Sequence, residues 1–106
     1  MGASGDFQSV YRKGFRYSGR LLVVVGRKNG GYRARFGVSV GRRMGKANAR
    51  NRLKRRLREV FRRTASVRSV SLDIVVAPRS IARDARMLEL TAELENAILV
   101  LSRRTR

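Results

Sequence analysis

The chain has 106 residues, one domain's worth, and 42% of them are apolar, enough for a small core and too many for wholesale disorder. Its 26 Lys and Arg against 7 Asp and Glu give a formal charge of +19, which repels itself in a compact state and calls for a polyanionic partner, nucleic acid first and an anionic membrane surface second. With neither Cys nor His, the chain has no means of forming disulfides, thiolate zinc sites, Ser-His or Cys-His nucleophile pairs, or of imidazole acid–base catalysis.

No apolar run approaches the ~20 residues that span a bilayer, and no segment has the pattern of a signal peptide, so a cytoplasmic location is expected. Arg supplies 22 of the 26 basic residues. Its planar fork matches phosphates and stacks on bases, which suits RNA; a genome rich in Arg codons would account for part of the Arg-to-Lys ratio but not for the total charge. Residues 1–5 are small and featureless and read as a flexible start, native or added; residues 6–106 read as a single domain.

In chain order, Asp6 to Lys13 reads as a short helix with Phe7, Val10 and Tyr11 on one face, capped by Asp6 and ended by Gly14 in a left-handed conformation. Phe15 to Ser18 is a candidate short edge strand. Leu21 to Gly26 is a β-branched strand. Lys28-Asn29-Gly30-Gly31 is turn chemistry, and Tyr32 to Gly41 resumes as a strand, with Phe36, Val38 and Val40 on one face and Arg35, Gly37 and Ser39 on the other. These two strands are expected to pair as an antiparallel hairpin. A basic loop flanked by Gly41 and Gly45 leads into a helix over Lys46 to Arg63, which has no Gly or Pro. Thr64 to Ser71 is a polar connector, Leu72 to Ala77 a strand stopped by Pro78, and Arg79 to Arg86 is ambiguous. A last helix runs from about Thr91, its expected cap, to Arg103, with Leu94, Ala97, Ile98 and Leu101 inward and Glu93 and Glu95 at its positive start. The order α-β-β-α-β-α, with the extra edge strand near 15–18, predicts an α+β two-layer sandwich.

On a wheel at about 100° per residue, Leu53, Leu57, Val60 and Phe61 of the central helix share roughly one third of the circumference. Asn51, Arg55, Arg58 and Arg62 lie opposite, with Arg52, Arg56 and Lys54 flanking them. Such a helix can run beside a phosphate backbone. The opposing reading, a solvated face laced with Glu–Arg pairs, has only Glu59 to draw on. Arg42, Arg43 and Lys46 form a candidate phosphate-contacting loop, or simply solvated charge. The glycines match no phosphate-binding loop pattern, and Asp6, Asp73 and Asp84 are too scattered for a two-metal nuclease site, so no catalytic or metal-ligating residue is assigned.

The run Phe36-Gly37-Val38-Ser39-Val40-Gly41-Arg42-Arg43-Met44-Gly45-Lys46-Ala47, followed by Arg50-Asn51-Arg52-Leu53-Lys54-Arg55 and Arg58-Glu59, resembles the bacterial ribonuclease P protein family. Asp6-Phe7, Val10, Tyr11 and Gly14 upstream, and Asp73-Ile74-Val75-Val76 and the Leu-rich end downstream, are similar to that family's first helix, last strand and last helix. The resemblance implies a fold like domain 2 of ribosomal protein S5, with a left-handed β-α-β crossover that general rules would not anticipate. It implies that Arg50, Asn51, Arg52, Lys54, Arg55 and Arg58 face a catalytic RNA. It also implies that Phe7 and Tyr11, with Arg35, line a cleft for the single-stranded 5′ leader of precursor tRNA, against the alternative that Phe7 and Tyr11 are ordinary core. Arg50 falls near the apolar edge of the wheel and could instead tie the helix start to the body. Val25 stands where the family often carries an aromatic.

The function implied is that of an accessory subunit of ribonuclease P, an endoribonuclease whose catalytic groups and Mg²⁺ lie in the RNA. The partners would be that RNA and precursor tRNA, with no membrane and no cofactor on the protein alone. The competing readings are a structural rRNA-binding module of ribosomal-protein type, which would not need an aromatic-lined first helix, and an autonomous nuclease, which would cleave without added RNA.

Overall fold

The computed structural model describes residues 4–105, with side chains from residue 9 onward; Asp6 and Phe7 therefore contribute backbone only, and the expected flexible start falls mostly outside the described residues. The elements are α1 (Ser4–Lys13), β1 (Phe15–Ser18), β2 (Leu22–Lys28), β3 (Arg35–Val38), α2 (Ala47–Arg63), β4 (Leu72–Pro78) and α3 (Met87–Arg104), with short 3-10 turns at Arg42–Met44, Ala65–Ser69 and Ser80–Asp84.

The four strands form one sheet in the order β1-β2-β4-β3. β2 pairs antiparallel with β1 and with β4, from Leu22↔Pro78 to Lys28↔Leu72, and β3 pairs parallel with β4, from Arg35↔Asp73 to Val38↔Val76. The expected hairpin of the second and third strands is therefore absent: β4 lies between them. Residues Leu72 to Val76 are all buried, all apolar but Asp73, and such a run belongs in the middle of a sheet with both faces covered. β3, four residues long and carrying exposed Arg35, takes the edge.

One face of the sheet carries the main core. Leu22, Val24, Ile74 and Val76 meet Leu53, Leu57 and Val60 of α2 and Leu90, Leu94, Ala97, Ile98 and Leu101 of α3, each at most 3% exposed. Phe36 and Phe61 close its β3 side with rings stacked at 4.4 Å. The inward stripes expected for both helices are the buried ones, except that Phe61 of α2 is only half-buried. The other face carries a smaller cluster of Val10, Val25 and Val75 under α1. The result is a two-layer sandwich with one short helix laid across its back.

Several boundaries differ from expectation. α3 begins a turn before Thr91; the Glu89 carboxylate accepts the Arg86 N–H at 3.0 Å at the helix start, while Thr91 lies inside and its hydroxyl donates to the Met87 carbonyl at 2.8 Å. Glu93 does not serve the helix start: its carboxylate accepts the N–H groups of Leu21 (2.9 Å) and Leu22 (2.6 Å), holding the β1–β2 turn against α3. Glu95 likewise accepts Ser66 N–H at 3.1 Å. α1 starts before Asp6, which is then inside the helix rather than its cap.

Gly14 ends α1, its N–H donating to the Val10 carbonyl at 2.8 Å, but among the described glycines positive φ occurs only at Gly30, Gly31 and Gly45. Gly14 is needed for close approach instead of left-handed backbone. A Cβ there would lie 2.5 Å from the Val10 carbonyl oxygen and 2.7 Å from that of Gly26, so α1 could not reach β2. Gly14→Ala is expected to lower stability by about 1–3 kcal/mol, as overpacking does, measured as a shifted midpoint in urea unfolding.

Candidate nucleic-acid interface

The outer face of α2 follows from its sequence. With Leu53, Leu57 and Val60 committed to the core, the 3.6-residue period turns Asn51, Arg52, Arg55 and Arg58 outward, and all four are exposed. Together with Asn48 and half-buried Lys54 they line one shallow groove. Among the described residues no acid and no acceptor engages the side chains of Arg52, Lys54, Arg55 or Arg58. Four unneutralised cations over about 10 Å of helix make a strongly positive ridge, able to meet several phosphates of one strand.

The other expected members of this face behave differently. Arg62 is held by Glu59, whose carboxylate accepts its Nε at 3.0 Å and its Nη2 at 2.7 Å, and Arg63 Nε at 2.8 Å. The guanidinium hydrogen bonds of Arg62, then Arg63, hold the Glu59 carboxyl down to about 2 from an ordinary 4.5, and the same pair raises Arg62 further. Arg50 is half-buried, with its Nε enclosed and without a partner; it sits at the apolar edge of the helix, apart from the groove. Arg56 is a tether: its guanidinium donates to the carbonyls of Arg83 (3.1 Å) and Ala85 (2.5 Å).

The loop before α2 is a 3-10 turn with a buried anchor. Met44 tucks into the core at 7% exposure and Gly45 turns the chain at φ 120°, leaving Arg42, Arg43 and Lys46 exposed. Arg43 also lines a groove of about 750 Å³ with Val23, Ser39, Ala77 and Arg79. By strand alternation Val23 and Ala77 share the face of Val25 and Val75, so this groove continues the α1 side of the sheet.

On that side Tyr11 is 38% exposed on α1, and the side chain of Phe7 lies outside the described residues. Val25, 2% exposed between Val10 and Val75, packs under α1. Arg35 forms a two-pronged pair with Asp73, Nε to Oδ1 and Nη2 to Oδ2 both at 2.7 Å, so much of its charge is already answered. Arg27 donates to Ser9 Oγ and ties α1 down. The structure thus gathers Asn51, Arg52, Lys54, Arg55 and Arg58 on one ridge and puts Arg42, Arg43 and Lys46 at its start. Tyr11 and Arg35 stand on a separate face. Sequence reasoning missed Asn48, Met44 and the Glu93 clamp; the scarcity of acids was the available signal, since each of so few carboxylates among 26 cations is apt to be placed for a purpose.

The described acids are mostly engaged within the fold. Glu59, Asp73, Glu89, Glu93 and Glu95 all accept hydrogen bonds from neighbours, the Arg86 N–H and then Arg20 lowering the pKa of Glu89. Among the described residues no three acidic groups converge. None of the described helices is long and apolar enough to cross a membrane.

A family model described as Ribonuclease P matches residues 1–102. The chain is 45% identical over 74 residues to the "Ribonuclease P protein component" of a Thermotoga species, a match covering 70% of this chain and 63% of that relative's length. It is 35% identical to the protein of the same name from Staphylococcus epidermidis over 92% of this chain and 84% of the relative. Among solved structures, the RNase P protein from Thermotoga maritima in complex with 1-(4-fluorophenyl)-2-thiourea superposes with a TM-score of 0.81 at 34% identity, covering 92% of this chain and 95% of that one.

The Glu59 pairs generate a pH dependence. A carboxyl whose folded pKa is depressed contributes stability that is fully present above the ordinary value of 4.5 and is lost as pH falls through about 2. Glu59→Gln is expected to melt below the parent at pH 7 in low salt, and with the parent near pH 2, as followed by circular dichroism.

Proposed function

The chain belongs to the ribonuclease P family, and from that premise we propose that it is the protein subunit of a cytoplasmic ribonucleoprotein endoribonuclease. In this reading it binds a catalytic RNA along α2 and the single-stranded 5′ leader of precursor tRNA over the α1 side of the sheet, promoting removal of the leader. One observation carries the reading. Arg52, Lys54, Arg55 and Arg58 share a single ridge with no partner among the described residues, while five of the six acids with described side chains are occupied elsewhere.

The chemistry divides accordingly. Phosphodiester hydrolysis needs an activated water and a stabilised leaving oxygen, and among the described residues no carboxylates converge for either. Mg²⁺ bound in the RNA would supply the Lewis acid. The protein would screen repulsion between two RNAs, fix their relative position, and hold leader bases on exposed aromatic surface, which binds single strands with little regard to sequence. Arg42, Arg43 and Lys46 would extend the phosphate contacts from the loop, and Arg50 would brace the helix start. Arg62, spent on Glu59, would contribute less than its place on the wheel suggests. A structural rRNA-binding module would use the same ridge; exposed Tyr11 beside an open sheet face favours the subunit.

Reconstitution with a candidate catalytic RNA tests the reading. The chain alone is expected to be silent on precursor tRNA, and adding it to the RNA should lower the Mg²⁺ needed for mature 5′-end formation; equal cleavage with and without the chain at low Mg²⁺ would reject it. Combining Arg55→Ala with Arg58→Ala should leave the fold intact and reduce the slope of log affinity against log salt by roughly 0.7–0.9 per lost contact.

Leader binding is separable from RNA docking. Tyr11→Ala is expected to weaken affinity for precursor tRNA by ~1–3 kcal/mol and to leave affinity for mature tRNA as in the parent, with melting curves confirming the fold. Loss of both affinities together would assign Tyr11 to packing.

A further inference from the structure

A second aromatic site lies away from both surfaces used above. Where the C-terminal end of α2 meets the segment before β3 and the turn after α2, Arg33, Ala34, Phe61, Val67, Arg68 and Val70 line a slot of about 290 Å³. Its floor is apolar and flat. Phe61 is half-buried and backed by the stacked ring of Phe36 at 4.4 Å, 24° from parallel, which sets the orientation of its ring. Ala34, Val67 and Val70 are only partly buried.

The walls are cationic. Arg33 and Arg68 are exposed, and among the described residues neither guanidinium has a hydrogen-bond or ion-pair partner. The acids on the neighbouring elements are engaged, Glu59 by Arg62 and Arg63, Glu95 by the Ser66 N–H and Asp73 by Arg35. Tyr32, 71% exposed, adjoins Arg33. A slot at the small end of ligand-pocket sizes, roughly 300 Å³ and upward, takes one planar ring system. Two free guanidiniums at its mouth call for an anion attached to that ring. A nucleotide has both parts.

We propose that this slot receives a single unpaired nucleobase of a bound RNA, stacked against Phe61 with its phosphates met by Arg33 and Arg68. The positive ridge of α2 leads to it: Arg58 is three residues, about 4.5 Å of helix rise, from Phe61. An RNA strand lying along Arg52, Arg55 and Arg58 can therefore deliver a flipped-out base at the helix end. The site adds base recognition to a ridge that reads only phosphates, and it requires neither the α1 side of the sheet nor any particular identity for the RNA.

The test compares two probes on the purified full chain, a fluorescein-labelled hexa-adenylate and the same ribose-phosphate backbone without bases, by fluorescence anisotropy at one salt concentration. The charge is the same, so any difference reports base contacts. The parent is expected to prefer the base-bearing probe by roughly 5-fold or more, the fold-change of one weak stack. Val67→Trp, which fills the slot and preserves charge, should reduce that preference while leaving affinity for the abasic probe unchanged. If that variant melts early, Arg33→Gln with Arg68→Gln serves instead, and both affinities should fall, the base-bearing one more. Amide NMR shifts of Ala34, Phe61, Val67 and Val70 should move with hexa-adenylate and not with the abasic strand. The proposal is overturned if those amides stay still, if Tyr11→Ala alone removes the whole preference, or if they move only with protein concentration, which would make the slot a contact between copies of the chain. Failure here leaves the reconstitution test untouched, since that test reads cleavage and not base preference.

Discussion

Strand β4 is buried on both faces, and the arrangement of everything else depends on that. A strand covered on both sides needs helices above and below it. α2 and α3 cover one side through Ile74 and Val76, and α1 covers the other through Val75. With β4 central, β3 is displaced to the edge and α2 must cross over the sheet to connect them. That crossover presents the basic side of α2 to solvent on one surface while the α1 side of the sheet faces elsewhere.

The charge imbalance is managed by placing few acids where they do structural duty. Glu93 holds the β1–β2 turn, Glu95 the turn after α2, Asp73 the edge strand through Arg35, and Glu59 the end of α2. Each engages an N–H or a guanidinium within the body, so none shields the ridge of Arg52, Lys54, Arg55 and Arg58. The same economy that stabilises the fold keeps the α2 ridge positive. Exposed ion pairs contribute little each, and backbone N–H groups capped by a carboxylate contribute more; the acids at Leu21, Leu22 and Ser66 are of the second kind.

Much of this was legible in the residues. Helical spacing found the inward stripes of α2 and α3 and the outward cations, because local periodicity decides which way a helix faces once any core exists. The Arg-Asn-Arg run and its flanks pointed to the family. What was not legible were the long-range pairings. Two β-runs joined by Lys28-Asn29-Gly30-Gly31 look like a hairpin until a more apolar strand, 44 residues after Lys28, takes the place between them. Gly14 suggested a left-handed cap, and only the nearness of the Gly26 carbonyl reveals its purpose. Arg62 and Arg35 looked as free as Arg55 and Arg58; their acids sit one turn away in one case and on another strand in the other.

The central position of β4 also orders events in time. β2 can pair with β1 early but lacks β4 until Leu72 to Pro78 has been made, and the pairing from Lys28 to Leu72 closes a loop that contains all of β3 and α2. Contacts so distant in sequence slow folding, because loop-closure entropy is lost before they form. At synthesis rates of roughly 5–20 residues per second, the interval between the two strands is on the order of seconds. Throughout it Leu22 to Val25 of the nascent chain has β1 on one edge and no β4 on the other, while the strongly cationic α2 is being made. The first polyanion within its reach is the ribosome that is making it, so repulsion among its own cations and attraction to nearby RNA are both at work before the sheet is complete.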